Sequence, residues 1–217
     1  MEERTITVEG KSVKRVPPDT IELSFTVKAI DMDYSKMMNN ANNQLSTMQG
    51  IVEEAGFEKK ELRTKKYDIN PIYRSVQNKD GEYESIFAGY ECRQDFLLKF
   101  PIDMQLLHKL LRSVDLCNVK PEFEIIFTLR NSQAVRDQAL QEAAINAKRE
   151  ASIVVGAIDA KLGALSNVRI SNNGYSRSII GITASTSLRP SSDCISMQPD
   201  TIAVEASAEF IWEIVNN

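Results

Sequence analysis

The chain has 217 residues, one histidine and a formal net charge of −4, with acidic and basic side chains mixed along its length. That balance lacks the basic stripe that displaces counterions from phosphate, so we predict no nucleic-acid partner. No apolar run approaches the about 20 residues that cross a bilayer, so we also predict no membrane span.

The first predicted elements are a strand and a long helix. Apolar side chains alternate with polar ones from Ile21 to Ala29, which predicts a strand with one buried face. The turn at 16–19 predicts that residues 5–14 form a hairpin with this strand. Asp33 is the expected N-cap of the helix and Gly56 its C′ residue. One face of this helix is apolar and is predicted to pack on the sheet, and the alternative is a coiled-coil partner. The residues of this face are Tyr34, Met38, Ala41, Leu45, Met48, Val52 and Ala55. The opposite, asparagine-rich face is expected to be solvated.

A second hairpin and a short helix follow. Residues 61–73 and 83–100 are predicted strands, and the Asp80-Gly81 pair between them is a strong hairpin signal. Asp103 is the expected N-cap of a short helix whose buried stripe is Leu106, Leu107, Leu110, Leu111 and Val114. The only histidine, His108, lies among these leucines, which favours a packed or solvated side chain over a functional one.

The last part of the chain again contains strands around a helix. Alternation from Phe123 to Leu129 predicts a strand, and Asn131 or Ser132 caps the longest helix. Its stripe of mostly small residues, which permits a close approach to a sheet, is Val135, Ala139, Ala143, Ala147, Ala151 and Val154. Residues 165–170 form a strand, and the alternating final strand ends at Ile214, with Trp212 expected in a core or interface.

Residues 171–199 are predicted to form a long loop of polar, turn-forming composition. The loop also contains an apolar patch, and we identify Ile179, Ile180 and Ile182 as candidate protein-interaction residues. The alternative is that the patch folds back onto the protein's own core. Cys194 lies in the same loop, and its role is left open.

The order strand, helix, strand, strand occurs twice. Phe25-Thr26-Val27 precedes Phe127-Thr128-Leu129 by 102 positions, and Gly56 precedes Gly156 by 100 positions. Similar offsets indicate an internal duplication. We therefore predict a single α+β domain of two similar halves, at about 19–100 and 122–215, joined by a short helix at about 103–117. Alternating strands predict antiparallel sheets, each covered on one face by helices.

Motifs that carry chemistry are missing from the sequence. It contains no phosphate-binding glycine loop, no zinc-protease motif and no nucleophile elbow. Three cysteines at wide, unequal spacing make neither a disulfide framework nor a zinc site. We therefore predict a protein that is not an enzyme, with no catalytic, cofactor-binding or metal-binding residues and no cofactor.

Several segments, taken in order, resemble the SIMPL-domain family, which includes YggE-like bacterial proteins. Residues 62–73 resemble the family's strand Thr-x-x-Tyr-x-(apolar)-x-Pro-x-Tyr, here with Thr64, Tyr67, Pro71 and Tyr73. The pair Gly89-Tyr90 resembles its entry to the next strand. The opening segment 6–10, Pro18-Asp19, the strand at 127–129 and the alanine-rich helix segments 136–139 and 147–151 are also similar.

The resemblance implies an α+β fold without established catalytic residues. It implies a non-enzymatic, self-associating binding or scaffold protein of the bacterial envelope or stress response, and hence a homo-oligomer. The alternatives are a signalling adaptor that docks a kinase or another protein partner, and an enzyme of unknown reaction. The family expectation for location is periplasmic if a leader has been removed ahead of Met1, and otherwise cytoplasmic.

Overall fold

The computed structural model describes residues 4–77, 79, 81–171, 181–184 and 199–216, with the backbone alone described at 181–184. Its helices are α1 (Tyr34–Ala55), α2 (Met104–Leu116) and α3 (Ser132–Ala157), with a 3₁₀ turn at Lys59–Glu61. Its strands are β1 (Thr5–Val16), β2 (Thr20–Asp31), β3 (Arg63–Gln77), β4 (Tyr83–Pro101), β5 (Glu122–Thr128), β6 (Ala160–Ile170), β7 (Gly181–Ala184) and β8 (Ile202–Asn216).

One compact unit, the α3 unit, consists of β1, α3, β6 and β8. Its sheet has the order β1-β8-β6, and both strand pairs are antiparallel. Alternation along β8 directs one face toward α3, where the aromatic side chains of Phe210 and Trp212 are buried with alanines of the helix. The predicted position of Trp212 in a core is confirmed.

The predicted hairpin between β1 and the following strand is wrong. β1 is paired along its whole length with β8, from Thr5 opposite Glu213 to Val16 opposite Ile202. Alternating side chains predict that a segment is a strand with one buried face, but they do not specify the strand beside it.

The other compact unit, the α1 unit, contains β2 to β5, β7, α1 and α2. Its sheet has the order β3-β4-β2-β5-β7, and β4 is antiparallel to both β2 and β3. The core lies between this sheet and the two helices and is formed by large apolar side chains, including Phe25, Phe96, Met48 and Leu107.

The predicted helix ends are confirmed. The Asp33 carboxylate accepts a hydrogen bond from the Lys36 amide at 2.9 Å, and Gly56 ends α1 with a φ of 108°. Asp103 caps α2 in the same way, and Asn131 rather than Ser132 caps α3. These short polar side chains satisfy amide groups that have no partner within the helix.

The α+β class and the antiparallel sheets packed against helices are confirmed. The contacts divide the chain differently from the two predicted halves, since β5 lies in the sheet of β2 and β1 in the sheet of β8. The internal duplication stays a prediction.

The predicted loop at 171–199 contains the short strand β7, whose backbone pairs with β5 and places Ile182 opposite Ile125. Ile179, Ile180 and Cys194 lie outside the described residues, as does the side chain of Ile182.

Candidate interaction surface

Four aromatic rings form a continuous row on the α1 unit, which we call the aromatic ladder. Its rings belong to Tyr73, Phe87, Tyr90 and Tyr34, with successive centroids 5.9, 5.2 and 5.5 Å apart. Each pair meets edge to face, at interplanar angles of 74°, 70° and 89°. This geometry matches the quadrupole of each ring to its neighbour and holds the row in one arrangement.

The ladder is open to solvent. Tyr73 is 60% exposed, Tyr34 48% and Phe87 38%. Contiguous apolar surface of this kind is rare on a soluble monomer unless it contacts a partner.

The register of the β3–β4 hairpin brings three of the rings together. Tyr73 lies directly opposite Phe87, and Pro71 lies opposite Tyr90. Ala88 is the extra residue at the register shift between these pairs, so β4 carries a β-bulge there. The bulge changes the alternation of β4 and allows Phe87 and Tyr90 to reach each other.

Gly89 is the residue that makes this bulge possible. Its φ of 118° lies in a region that side chains other than glycine rarely adopt. A Cβ atom at this position would stand 2.6 Å from the backbone oxygen of Asp31. The Gly-Tyr pair of the sequence therefore has a physical role, since the glycine permits the turn in the strand that positions the Tyr90 ring.

The fourth ring is positioned by the start of α1. The Asp31 carboxylate accepts a hydrogen bond from the Asp33 amide at 2.9 Å, and Asp33 in turn caps the helix. Tyr34 is the first residue of that helix. The cap thus places the Tyr34 ring against Tyr90 at the end of β2.

Tyr67 fastens α1 to the sheet beside the ladder. Its hydroxyl donates to the Met38 sulfur at 3.6 Å. A hydrogen bond with the Cys92 thiol, followed by burial, raises the pKa of Tyr67 to about 12. Cys92 is fully buried. Tyr67, which is 44% exposed, therefore stays protonated at neutral pH.

A groove of about 630 Å³ lies elsewhere on the same unit, between α1, the end of β2 and residues 118–120. We call it the α1–β2 groove. Its lining includes the side-chain amides of Asn40, Asn43, Gln44 and Asn118, together with the ammonium group of Lys120. Two of them come from the asparagine-rich face of α1, which the sequence predicted only as a solvated surface.

The remaining candidate groups are scattered. His108 is partly buried on α2, beside leucines that pack in the core. The thiol of Cys117 donates to the Val119 carbonyl, and burial raises its pKa. Within the described residues, no three His, Cys, Asp or Glu side chains are close enough to hold a metal ion.

Sequence reasoning missed both surfaces as sites. A signal for the ladder was present, because Tyr73, Gly89 and Tyr90 are among the residues that carry the family resemblance. For the groove the only signal was the run of asparagines on α1, which by itself indicates a solvated helix face.

None of the described helices combines the length and apolar character of a membrane span. Residues 6–212 match the model of the SIMPL family, which is described as a protein of unknown function (DUF541). None of the curated proteins compared with the chain matches it. Because the match covers nearly the whole sequence, the chain belongs to the SIMPL family.

Proposed function

We propose that this member of the SIMPL family is a non-enzymatic, self-associating scaffold protein of the bacterial envelope or stress response. The observation that carries the self-association is the exposed aromatic ladder of Tyr34, Tyr73, Phe87 and Tyr90. The family resemblance supports the envelope and stress setting. The non-enzymatic part rests on a sequence with one histidine and none of the common catalytic motifs.

The ladder has the chemistry of a protein interface. Tyrosine and phenylalanine are enriched in the cores of interfaces because they bury a large area with few rotatable bonds. Edge-to-face packing already fixes these rings, so less side-chain entropy is lost when a second copy covers them.

Association of two copies through the aromatic rings is favoured over association through the edge of strand β3. β3 is the outer strand of its sheet, so one side of its backbone lacks a neighbouring strand in the described structure. Pro71 offers no amide proton there, and Lys66 and Asp68 form an ion pair on the same strand. Prolines and charges on an edge strand hinder the addition of another strand.

The test is the oligomeric state of the protein with Tyr73→Ala and Phe87→Ala, measured by light scattering over a concentration series. Aromatic side chains at interface centres contribute at least about 2 kcal/mol, so each change is expected to weaken association by about 30-fold. Both positions are substantially exposed, so the folded state should persist, as circular dichroism will verify.

The matched control is Tyr83→Ala, on the same hairpin. Tyr83 is 75% exposed and lies outside the ladder. Its removal is expected to leave association unchanged. A wild-type protein that stays monomeric at high concentration contradicts the scaffold function. Equal association of all variants contradicts the ladder as the contact surface.

A further inference from the structure

The hydrogen-bonding direction along β2 shows which of its backbone groups face away from β4. The Asp19 carbonyl accepts from the Ile102 amide at 3.0 Å, and the β2–β4 register then continues without a shift. In an antiparallel pair, successive residues direct their backbone groups to opposite sides. Odd-numbered residues of β2 therefore face β4, whereas even-numbered residues face the side occupied by β5.

β5 does not continue along the whole of that side. It begins at Glu122, whose carboxylate pairs with the Lys28 ammonium at 2.9 Å. Pro121, just before it, has no amide proton with which to continue the hydrogen bonds between the strands. The Lys28 carbonyl is instead capped by the Gln44 side-chain amide at 3.0 Å.

Ile30 is the next even-numbered residue, and it lies past this cap. It lines the α1–β2 groove and is 53% exposed. Its backbone amide and carbonyl therefore face the groove at the point where the sheet loses its next strand. Residues 118–120 also line the groove, and they lie before the first residue of β5.

The helix side of the groove supplies further hydrogen-bonding groups. Asn40, Asn43, Gln44 and Thr47 follow helical spacing and line one face of α1. Side-chain amides both donate and accept, as peptide groups do. The Gln44 carbonyl oxygen is buried and accepts no hydrogen bond from the described residues. A buried acceptor without a donor is uncommon.

We propose that the α1–β2 groove binds an extended acidic peptide segment of a partner protein, which continues the sheet beside Ile30. Strand addition in a groove between a sheet edge and a helix is an established way to recognise peptides. Lys120 lines the groove and favours an acidic side chain, whereas the charge of Lys28 is already paired with that of Glu122. Among the described residues, no aromatic side chain lines the groove as a stacking platform for a sugar ring. Its volume is within the range of ligand sites.

The experiment screens an arrayed library of random hexapeptides against the wild-type protein and Lys120→Glu. Peptides that contain Asp or Glu are expected to dominate the binders, and Lys120→Glu should weaken them by about tenfold. Lys148→Glu on α3 makes the same charge change outside the groove and is expected to leave binding unchanged. Binders without an acidic preference, equal weakening by both variants, or no binder at all would overturn the proposal.

A second measurement tests the strand addition itself. Each backbone amide of the best hexapeptide is methylated in turn, which removes one donor without changing the side chains. At least one position should lose about tenfold or more in affinity, because a peptide strand must donate to the Ile30 carbonyl. Equal affinity of all methylated peptides would overturn strand addition. Light scattering of Lys120→Glu should match the wild type, which separates this site from the aromatic ladder.

Discussion

The α3 unit and the α1 unit each pack a long helix on an antiparallel sheet, but with side chains of different size. α3 buries small residues, namely Ala139, Ala143, Ala147, Ala151 and Val155. α1 buries larger ones, namely Met37, Ala41, Met48, Ile51, Val52 and Ala55. A helix with a small-residue face can approach the sheet until backbones nearly touch, whereas large side chains interlock at a greater separation. The close interface therefore has little room for added atoms, and the wider one can repack.

Gly10 of β1 marks the closest approach in the α3 unit. A Cβ atom there would lie 2.1 Å from the Ala143 carbonyl oxygen and 2.8 Å from the Ala147 methyl group. Because the first neighbour is backbone, it cannot rotate away. We expect Gly10→Ala to destabilise the protein by about 3 kcal/mol, which lowers the melting temperature by about 10 °C in a chain of this size.

The control is Gly156→Ala, in the last turn of α3. A Cβ atom there meets nothing within 4 Å. The change should stabilise the protein slightly, by about 0.5 kcal/mol, because alanine loses less backbone entropy than glycine in a helix. Thermal unfolding gives the melting temperatures of Gly10→Ala and Gly156→Ala for comparison. Similar melting temperatures would show that α3 is not packed closely on β1.

A pair of leucine substitutions compares the two interfaces directly. Ala147→Leu adds three carbons to the α3 interface, where we expect a cost of about 2 kcal/mol. Ala41→Leu makes the same change at an equally buried position of α1, where larger neighbouring side chains can repack, and should cost less than about 1.5 kcal/mol. Urea unfolding gives both free energies. A larger cost at Ala41 would reverse the comparison.

Much of the fold was predictable because its signals are local. Alternation identified β2 and β8, and short polar side chains marked the starts of α1 and α2 at Asp33 and Asp103. The partner of β1 was not predictable in this way, since its pairing with β8 joins segments from opposite ends of the chain. The strand β7 was missed because four residues are too few for a periodic pattern.

The buried face of α1 was predicted only in part. Met48 and Val52 were identified, whereas Met37 and Ile51 were missed, and Tyr34 projects into the exposed ladder. Tyr34 follows the same spacing as the rest of the predicted apolar face, but it stands at the helix start, where the core no longer covers it. Periodicity indicates a direction around the helix and not how far the neighbouring sheet extends.

The candidate surfaces depend on longer-range geometry. The resemblance pointed to Tyr73, Gly89 and Tyr90, but their convergence requires the bulge at Ala88 and the hairpin register. The groove requires β5 to begin beside Lys28. Gln44 of α1 and Asn146 of α3 each donate a hydrogen bond to a strand carbonyl. The two residues lie 102 positions apart, and the strand segments at Phe25 and Phe127 in the predicted duplication have the same offset. The strands that they bond, β2 and β1, do not share that offset.

The two interfaces also differ in charge, and this difference is expected to affect stability less than the packing does. In the α3 unit the Glu142 carboxylate accepts hydrogen bonds from the Lys14 ammonium and from the Ser12 hydroxyl, the latter at 2.8 Å. These contacts, with Lys14 the larger, lower the pKa of Glu142 from its usual 4.5. In the α1 unit, the amides of Gln44 and Gln94 make the corresponding bonds to backbone carbonyls and do not titrate.

Because the pKa of Glu142 is lowered in the folded state, its contribution to stability is present above about pH 4.5 and is lost as the pH falls through the folded value. The melting temperature of Glu142→Gln should therefore lie slightly below that of the wild type at neutral pH. The two should converge at lower pH. Glu150→Gln, at an exposed carboxylate of the same helix, is the matched control for the change of side chain. Melting curves from pH 7 to about pH 3 test this prediction. If the difference in melting temperature between the wild type and Glu142→Gln stays constant or widens on acidification, ionisation of Glu142 does not stabilise the packing of α3.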